Sequence, residues 1–232
     1  MNKINIKGDI KNKKIIIKED SSIYLEDVVG KIHFDVCSVS NLFIYLDSSD
    51  VDFTFNISSN FTLNIFSIDS SLNVDLDLDK EGISLDYAYS TINLGDNNYK
   101  ININHNNSLQ KSNIVNHGIN ILNNKLSFIV NAIVPRESID IVTNQDSKIL
   151  LVSDKGGYIE PNLLIDNDKI EANHSSFIGD FKSEELFYLE SRGLSSLESK
   201  KLLAKSFLLG NMKDITFREI NLIKEKLNMY WR

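Results

Sequence analysis

The sequence predicts a mainly β chain that closes on a small helical unit, and three observations carry that expectation. Apolar residues recur with a period of two from Ile4 to about Ile178. Clusters of Asn, Asp, Ser and Gly separate those runs, and after Gly179 the period changes to 3.6. With 232 residues the chain is long enough for one large domain, or one domain with an appendage. It can bury a substantial core without disulfides or metal.

Alternation is plainest in "NVDLDLD" (Asn73 to Asp79), which puts Val74, Leu76 and Leu78 on one face. It recurs in "YKININ" (Tyr99 to Asn104), "HGINIL" (His117 to Leu122) and "SIDIV" (Ser138 to Val142). "LSFIVNAIV" (Leu126 to Val134) is more continuously apolar, as a better-buried strand should be. "GDNN", "HNNS" and "LNNK" between the runs are turn formers, because their side chains hydrogen-bond to nearby backbone. No amphipathic helix interrupts this region. Two architectures fit many short strands: a sandwich or barrel, and a β-helix whose coils stack along an axis. The abundance of Asn and Ser beside Ile, Val and Leu places the β-helix ahead, since stacked coils align like residues into ladders. No strict sequence period supports it.

The helical unit has its own punctuation. Ser183 is the expected N-cap of a first helix, with Glu184 and Glu185 complementing the dipole and Gly193 in the C′ position. Ser195 and Glu198 form a capping box for a second helix carrying Leu202, Leu203, Phe207 and Leu208. Thr216 and Glu219 open a third, with Ile220, Ile223, Leu227 and Tyr230 on one face. So much apolar surface on three short helices has two readings: they cap the open end of the β core, or they dock a partner.

Composition narrows the function. Acidic residues (32) outnumber Lys and Arg (25), which argues against non-specific nucleic-acid binding. No apolar run approaches the ~20 residues of a membrane helix, and the first residues lack an apolar signal core. The expected location is the cytoplasm. A single cysteine, Cys37, excludes an internal disulfide and a Cys-rich zinc site.

Candidate chemistry is sparse. "DLDLDKEG" imitates a calcium loop, but Lys80 stands where that loop needs Gly and the intervening leucines mark a strand. "SDKGG" lacks P-loop spacing, so no nucleotide site is expected. His33 and Cys37 would share a strand face but lie some distance apart. His174 is a lone histidine, a class that is ordinarily a surface or packed residue.

One long stretch says more. "EPNLLIDNDKIEANHSSFIGDFKSEELFYLESRGLS" resembles the C-terminal signature of the SufB/SufD family, scaffold proteins of the SUF iron–sulfur cluster assembly system. The matching elements are Pro161, Ala172, His174, Gly179, Leu186 to Leu189 and Ser191 to Gly193, followed by "KKLLAKSFLLG". Upstream, "NQDSKILLVSDKG" fits a family strand and turn, and "HNNSLQKSNIVNHGI" fits less firmly. The resemblance implies a right-handed β-helix over 1–180 and a helical ATPase-docking domain over 181–232. It implies a non-enzymatic scaffold that docks a SufC-like ABC ATPase through Leu186, Phe187, Tyr188, Leu189, Arg192, Gly193 and Phe207. It further implies pairing with a second SufB/SufD-type chain, self or paralogue, through the β-helix. An iron–sulfur cluster would be held transiently and shared with the partner chain, with His174 the candidate iron ligand and no nucleotide bound by this chain. The N-terminal helical region usual in the family has no counterpart here. The cluster-related Cys of SufB-type members is absent near Asp146, and Ser175 replaces their acidic residue, so the chain looks more like SufD. Two alternatives are a degenerate member that docks the ATPase without binding a cluster, and a carbohydrate-active β-helix protein.

Overall fold

A computed structural model describes residues 2–153 and 156–231. Asp154 and Lys155 of "SDKGG" lie outside the described residues. The strands are β1 (Asn2–Lys7), β2 (Ile10–Ile17), β3 (Ser21–Glu26), β4 (Val29–Val36), β5 (Ser40–Asp47), β6 (Asp50–Ile57), β7 (Phe61–Ile68) and β8 (Ser71–Leu78). They continue with β9 (Ser84–Asn93), β10 (Asn97–His105), β11 (Lys111–Asn120), β12 (Leu126–Val134), β13 (Ile141–Leu151), β14 (Gly157–Ile165) and β15 (Ile170–Gly179). Three helices follow: α1 (Ser183–Ser191), α2 (Ser196–Leu209) and α3 (Phe217–Tyr230).

Among the described residues, odd strands form an 8-stranded sheet and even strands a 7-stranded sheet, each in sequence order and paired in parallel throughout. The chain therefore winds from one sheet to the other and back, one coil at a time, which is a β-helix. The sandwich reading is excluded. Inward side chains of both sheets meet in a lumen filled by Ile23, Leu25, Phe34, Phe55, Leu76, Tyr99, Ile101 and their neighbours. Rings stack from coil to coil, Phe34 of β4 on Phe55 of β6 at 4.4 Å, and across the lumen, Tyr89 of β9 on Tyr99 of β10 at 4.1 Å.

The coil length grows along the axis. Asn73 donates to Asp52 across 21 residues and Asn102 to Asp75 across 27. Asn131 then donates to Asn102 across 29, and Asn162 to Asn131 across 31. These amide rungs are the ladders that the Asn content predicts. The lengthening coil is why no fixed period shows in the sequence.

The two outer faces differ. The 7-stranded sheet turns polar residues outward, so its strands alternate cleanly, as in β6 and β8. The 8-stranded sheet also turns apolar side chains outward: Phe43, Tyr45, Phe66, Ile68, Ile92, Ile119 and Leu150. Ala204 and Leu208 of α2, Ile223 and Leu227 of α3, and Phe181 and Trp231 cover them. Burying each large side chain contributes roughly 1.5–3 kcal/mol. The helices thus lie along the side of the solenoid, so of the two readings the one in which they cap its open end does not hold.

Local expectations hold with small shifts. Both capping boxes form, Ser195 with Glu198 and Thr216 with Glu219. The N-cap of α1 is Lys182 and lacks a side-chain cap, so Ser183 is the first helical residue instead. Gly193 takes φ +94°, as a C′ glycine should. "SIDIV" becomes strand only from Ile141, because Asp140 turns the chain at φ +58°. "HGINIL" yields strand to Asn120, buried on both faces since α2 packs outside it. Among the described residues, no helix is long and apolar enough to cross a membrane.

Candidate functional site

His174 sits on β15, the last strand of its sheet. β15 pairs only with β13, and β14 only with β12, so both are edge strands among the described residues. On β13, Ile149 belongs to the lumen and period two puts Thr143, Gln145 and Ser147 on that same face. The register lays Ala172, His174 and Ser176 directly over those three. His174 is therefore an inward-row residue left exposed because no further coil covers it.

Its register partner is Gln145, buried, whose Nε2 donates to the carbonyl of Asn162 at 3.3 Å. The Gln145 Oε1 is buried and has no hydrogen-bond partner among the described residues. On the outer side of the same strands, Asp146 accepts from Lys148 Nζ at 2.5 Å and from Ser175 Oγ at 2.5 Å. Burial pushes the Asp146 carboxyl up, but these hydrogen bonds outweigh it and hold the group below the ordinary carboxylate range. Ser175 thus serves the carboxylate of the neighbouring strand.

The lumen beneath this mouth is unusually polar. His105 is fully buried, with Nε2 3.0 Å from Ser112 Oγ, which in turn meets Thr143 Oγ1 at 2.8 Å. Burial pulls the His105 pKa down to about 4, opposed by a weaker interaction of the imidazole with the Gln110 side chain. Its imidazole is neutral near pH 7.

Cluster chemistry on this chain alone is incomplete. Among the described residues, no three His, Cys, Asp or Glu side chains are grouped to hold a metal ion. Cys37 is exposed just beyond β4, five strand positions from β14, and so about 24 Å along the axis from the mouth. His174 can give one imidazole. Iron–sulfur clusters are held mainly by thiolates, which a lone imidazole does not supply.

The edge itself was not singled out from sequence. β14 and β15 contain no lysine, and they expose Tyr158, Leu164, Phe177 and Ile178. By contrast, β1 and β2 carry Lys3, Lys7, Lys11, Lys13 and Lys14, with a register shift beside Ile10. Lysines, prolines and bulges are the usual means of making an edge strand unattractive to another chain; the β14–β15 edge has no lysine, and Pro161 interrupts the donor row of β14 alone, leaving β15 without such a device. Interior strands such as β5 to β9 lack lysine as well, so the sequence alone carried no signal that set this edge apart.

The predicted docking residues divide. Phe187 is 74% exposed and Tyr188 57%, with the Arg192 guanidinium 5.3 Å from the Tyr188 ring. Leu186 and Leu189 are half-buried, turned towards the body of the helical unit. Phe207 is half-buried, with its ring stacked on His117 of the sheet at 4.1 Å. On the 7-stranded sheet an open polar groove of about 540 Å³ contains Lys31, Asp52, Asn73, Asp75, Lys100 and Asn102. Its carboxylates already accept ladder hydrogen bonds: Asn73 and Lys31 hold Asp52, and Asn102 holds Asp75.

The family model described as "SUF system FeS cluster assembly, SufBD core domain" matches residues 50–207. The chain belongs to the SufBD core family. The matched segment runs from the start of β6 into α2, further back than the motif resemblance, which is not readable before Tyr99. Among curated relatives, an iron–sulfur cluster assembly SufBD family protein of Pyrococcus horikoshii is 40% identical over 81 residues, 34% of this chain and 18% of that protein. The iron–sulfur cluster assembly protein SufD of Bacillus subtilis is 38% identical over 65 residues, 28% of this chain and 15% of its own length. A SufBD family protein of Mycobacterium leprae is 46% identical over 48 residues, 20% of this chain and 12% of that protein. The matched stretches therefore span less than a fifth of each relative. Within this SufBD core, His174, Gln145, the β14–β15 edge and α1 all fall inside the matched segment.

Proposed function

We propose that this SufBD core works in iron–sulfur cluster assembly as a non-enzymatic scaffold subunit. It pairs with a second SufB/SufD-type chain, self or paralogue, through the open β14–β15 end. It docks a SufC-like ABC ATPase through the helical surface around Phe187, Tyr188 and Arg192. The cluster is cargo: His174 supplies an imidazole at the shared mouth, and the partner chain supplies thiolates. The observation that carries this reading is an uncovered sheet edge without lysine, with exposed Phe177 and Ile178 and an inward-row histidine, inside the family-matched segment. An unpaired apolar edge of this kind calls for another strand.

Gln145 opposite His174, where a thiolate would complete a site, favours a second reading: a member that pairs and docks without binding a cluster. Its lack of a strand Cys also makes the SufD-like position the better fit.

The test keeps the helices in place, because truncation at Gly179 would strip the cover from Phe43, Tyr45, Phe66 and Ile92. Co-purification with the ATPase is expected for the full chain and is expected to be lost in Phe187→Glu/Tyr188→Glu, whose positions are exposed. Capture unaffected by that pair of substitutions would sink the docking assignment. Anaerobic iron and sulfide loading of the paired complex, read by visible absorption, decides between the readings: a chromophore lost in His174→Ala supports the ligand role, and none in the wild type supports the second.

A further inference from the structure

The helical unit is fastened to the sheet very unevenly. From the last turn of α2 onwards, polar links recur. Ser90 donates to the carbonyl of Leu208 at 2.8 Å, and His117 Nδ1 lies 2.7 Å from the carbonyl of Phe207. Asn64 and the backbone of Lys213 bond reciprocally, at 2.8 and 3.1 Å. Ser22 donates to Glu219 at 2.7 Å, and Lys226 meets Asp47 at 2.9 Å. These links, together with buried Leu208, Ile223 and Leu227, clamp the end of α2 and all of α3 to the solenoid.

α1 has none of this. Among the described residues, no side-chain hydrogen bond or ion pair joins it to the sheet, none of its residues is fully buried, and its first turn has no side-chain cap. It is undercut on two sides. A hollow of about 420 Å³ separates it from α2, lined in part by Tyr188, Leu189 and Leu202. Another of about 480 Å³ lies between α1, α2 and the edge of the sheet, floored by Leu150, Phe177 and Phe207. Glu185, Leu203 and Ser206 border both. The two ends of α1 are joints of different kinds. Phe181, 8% exposed, is pinned against Trp231 with ring centroids 5.9 Å apart. Gly193, at φ +94°, holds a conformation open to glycine and strained for other residues.

We propose that α1 is a hinged lid over a single apolar trough, swinging between a pivot at Phe181 and the glycine joint at Gly193 while α2 and α3 stay clamped. Few buried contacts and few fastenings mark a segment whose local opening free energy is small, and short flanking joints can absorb the change in φ and ψ. Lifting α1 merges the two hollows across Leu203 and widens the opening beside Phe177, which is already partly exposed. Phe177 lies on β15, so the position of the lid changes the surroundings of the strand that bears His174. The motion needs no partner, so failure of the docking reading leaves it standing and the chain alone tests it.

The test uses paired nitroxide labels on the full chain, with Cys37→Ser as background. Glu190→Cys with Asn228→Cys reports α1 against α3, and Lys205→Cys with Asn228→Cys reports α2 against α3. The expected result is two distance populations for the first pair and one for the second. A single population for the first pair, whether narrow (fixed helix) or merely broadened (local melting), overturns the lid. Hydrogen exchange at neutral pH gives the second reading: α1 amides are expected to exchange about ten-fold or more faster than those of α2. Equal protection of α1 and α2 also overturns it.

Discussion

The outward side chains of the 8-stranded sheet include Phe43, Tyr45, Phe66, Ile68, Ile92 and Leu150, and helices cover them; those of the 7-stranded sheet include Lys31, His33, Asp52, Asn73, Asp75 and Asn102, and water reaches them. Both faces belong to the same coils and have the same strand geometry. They teach that a solenoid wall is stabilised in two distinct ways. On the covered face, burial of apolar area does the work, and each position depends on elements far away in sequence. On the open face the outward residues stabilise one another from coil to coil, by amide and carboxylate rungs such as Asn102 to Asp75 at 2.6 Å. Polar rungs in partial contact with water contribute less each, and their loss stays local.

That contrast can be broken. On the covered face, Leu208→Ala or Ile223→Ala is expected to destabilise by about 2–5 kcal/mol each, read as a fall in the urea midpoint. A loss under about 1 kcal/mol at both positions would mean that the helices rest on the sheet without sharing its core.

The lumen offers a sharper test through pH. His105 has a depressed pKa of about 4 in the folded chain, against an ordinary value near 6.5. Between those values the unfolded chain binds the proton and the folded chain refuses it. Stability is therefore full above about pH 6.5 and falls as pH drops towards 4, by roughly 3 kcal/mol from this group. Burial also lowers the pKa of His117 on the covered face, which acts in the same direction. Unfolding measured from pH 7 to 4 is expected to flatten in His105→Gln; an unchanged slope would remove His105 as its cause.

On the open face, Asn102→Leu removes a donor to Asp75 and an acceptor for Asn131 and is expected to cost about 1–2 kcal/mol. If it matches Leu208→Ala, the two faces are not stabilised differently. The smallest effect belongs to Lys31→Ala. Lys31 and Asp52 meet at 3.0 Å but are largely solvated, so the change is expected within about 0.5 kcal/mol and to shrink further with salt.

Much of this was legible residue by residue. The strict alternation of "NVDLDLD" identified a half-buried strand, and Val74, Leu76 and Leu78 are indeed inside. The capping pairs at Ser195 and Thr216 are local chemistry, and both formed. Phe43, Tyr45, Phe66 and Ile68 are buried on the outer side of β5 and β7, which is the imprint of the helices on the strands they cover. The site was less legible. His174 stood out by resemblance, while Gln145, 29 positions earlier, is its neighbour only through the register of β13 and β15. Phe207 entered the docking set with the resemblance, and its stacking on His117 could be seen only in the structure.

The sequence by itself determined the strands, the turns and the change of regime after Gly179, because these depend on neighbours within a few residues. Only the tertiary structure decided that the helices run along the side of the solenoid, that β14 and β15 remain an open edge, and that α1 is left unfastened. Those outcomes depend on which distant surfaces meet, through a coil that lengthens from 21 to 31 residues, and no local pattern encodes the sum of such steps.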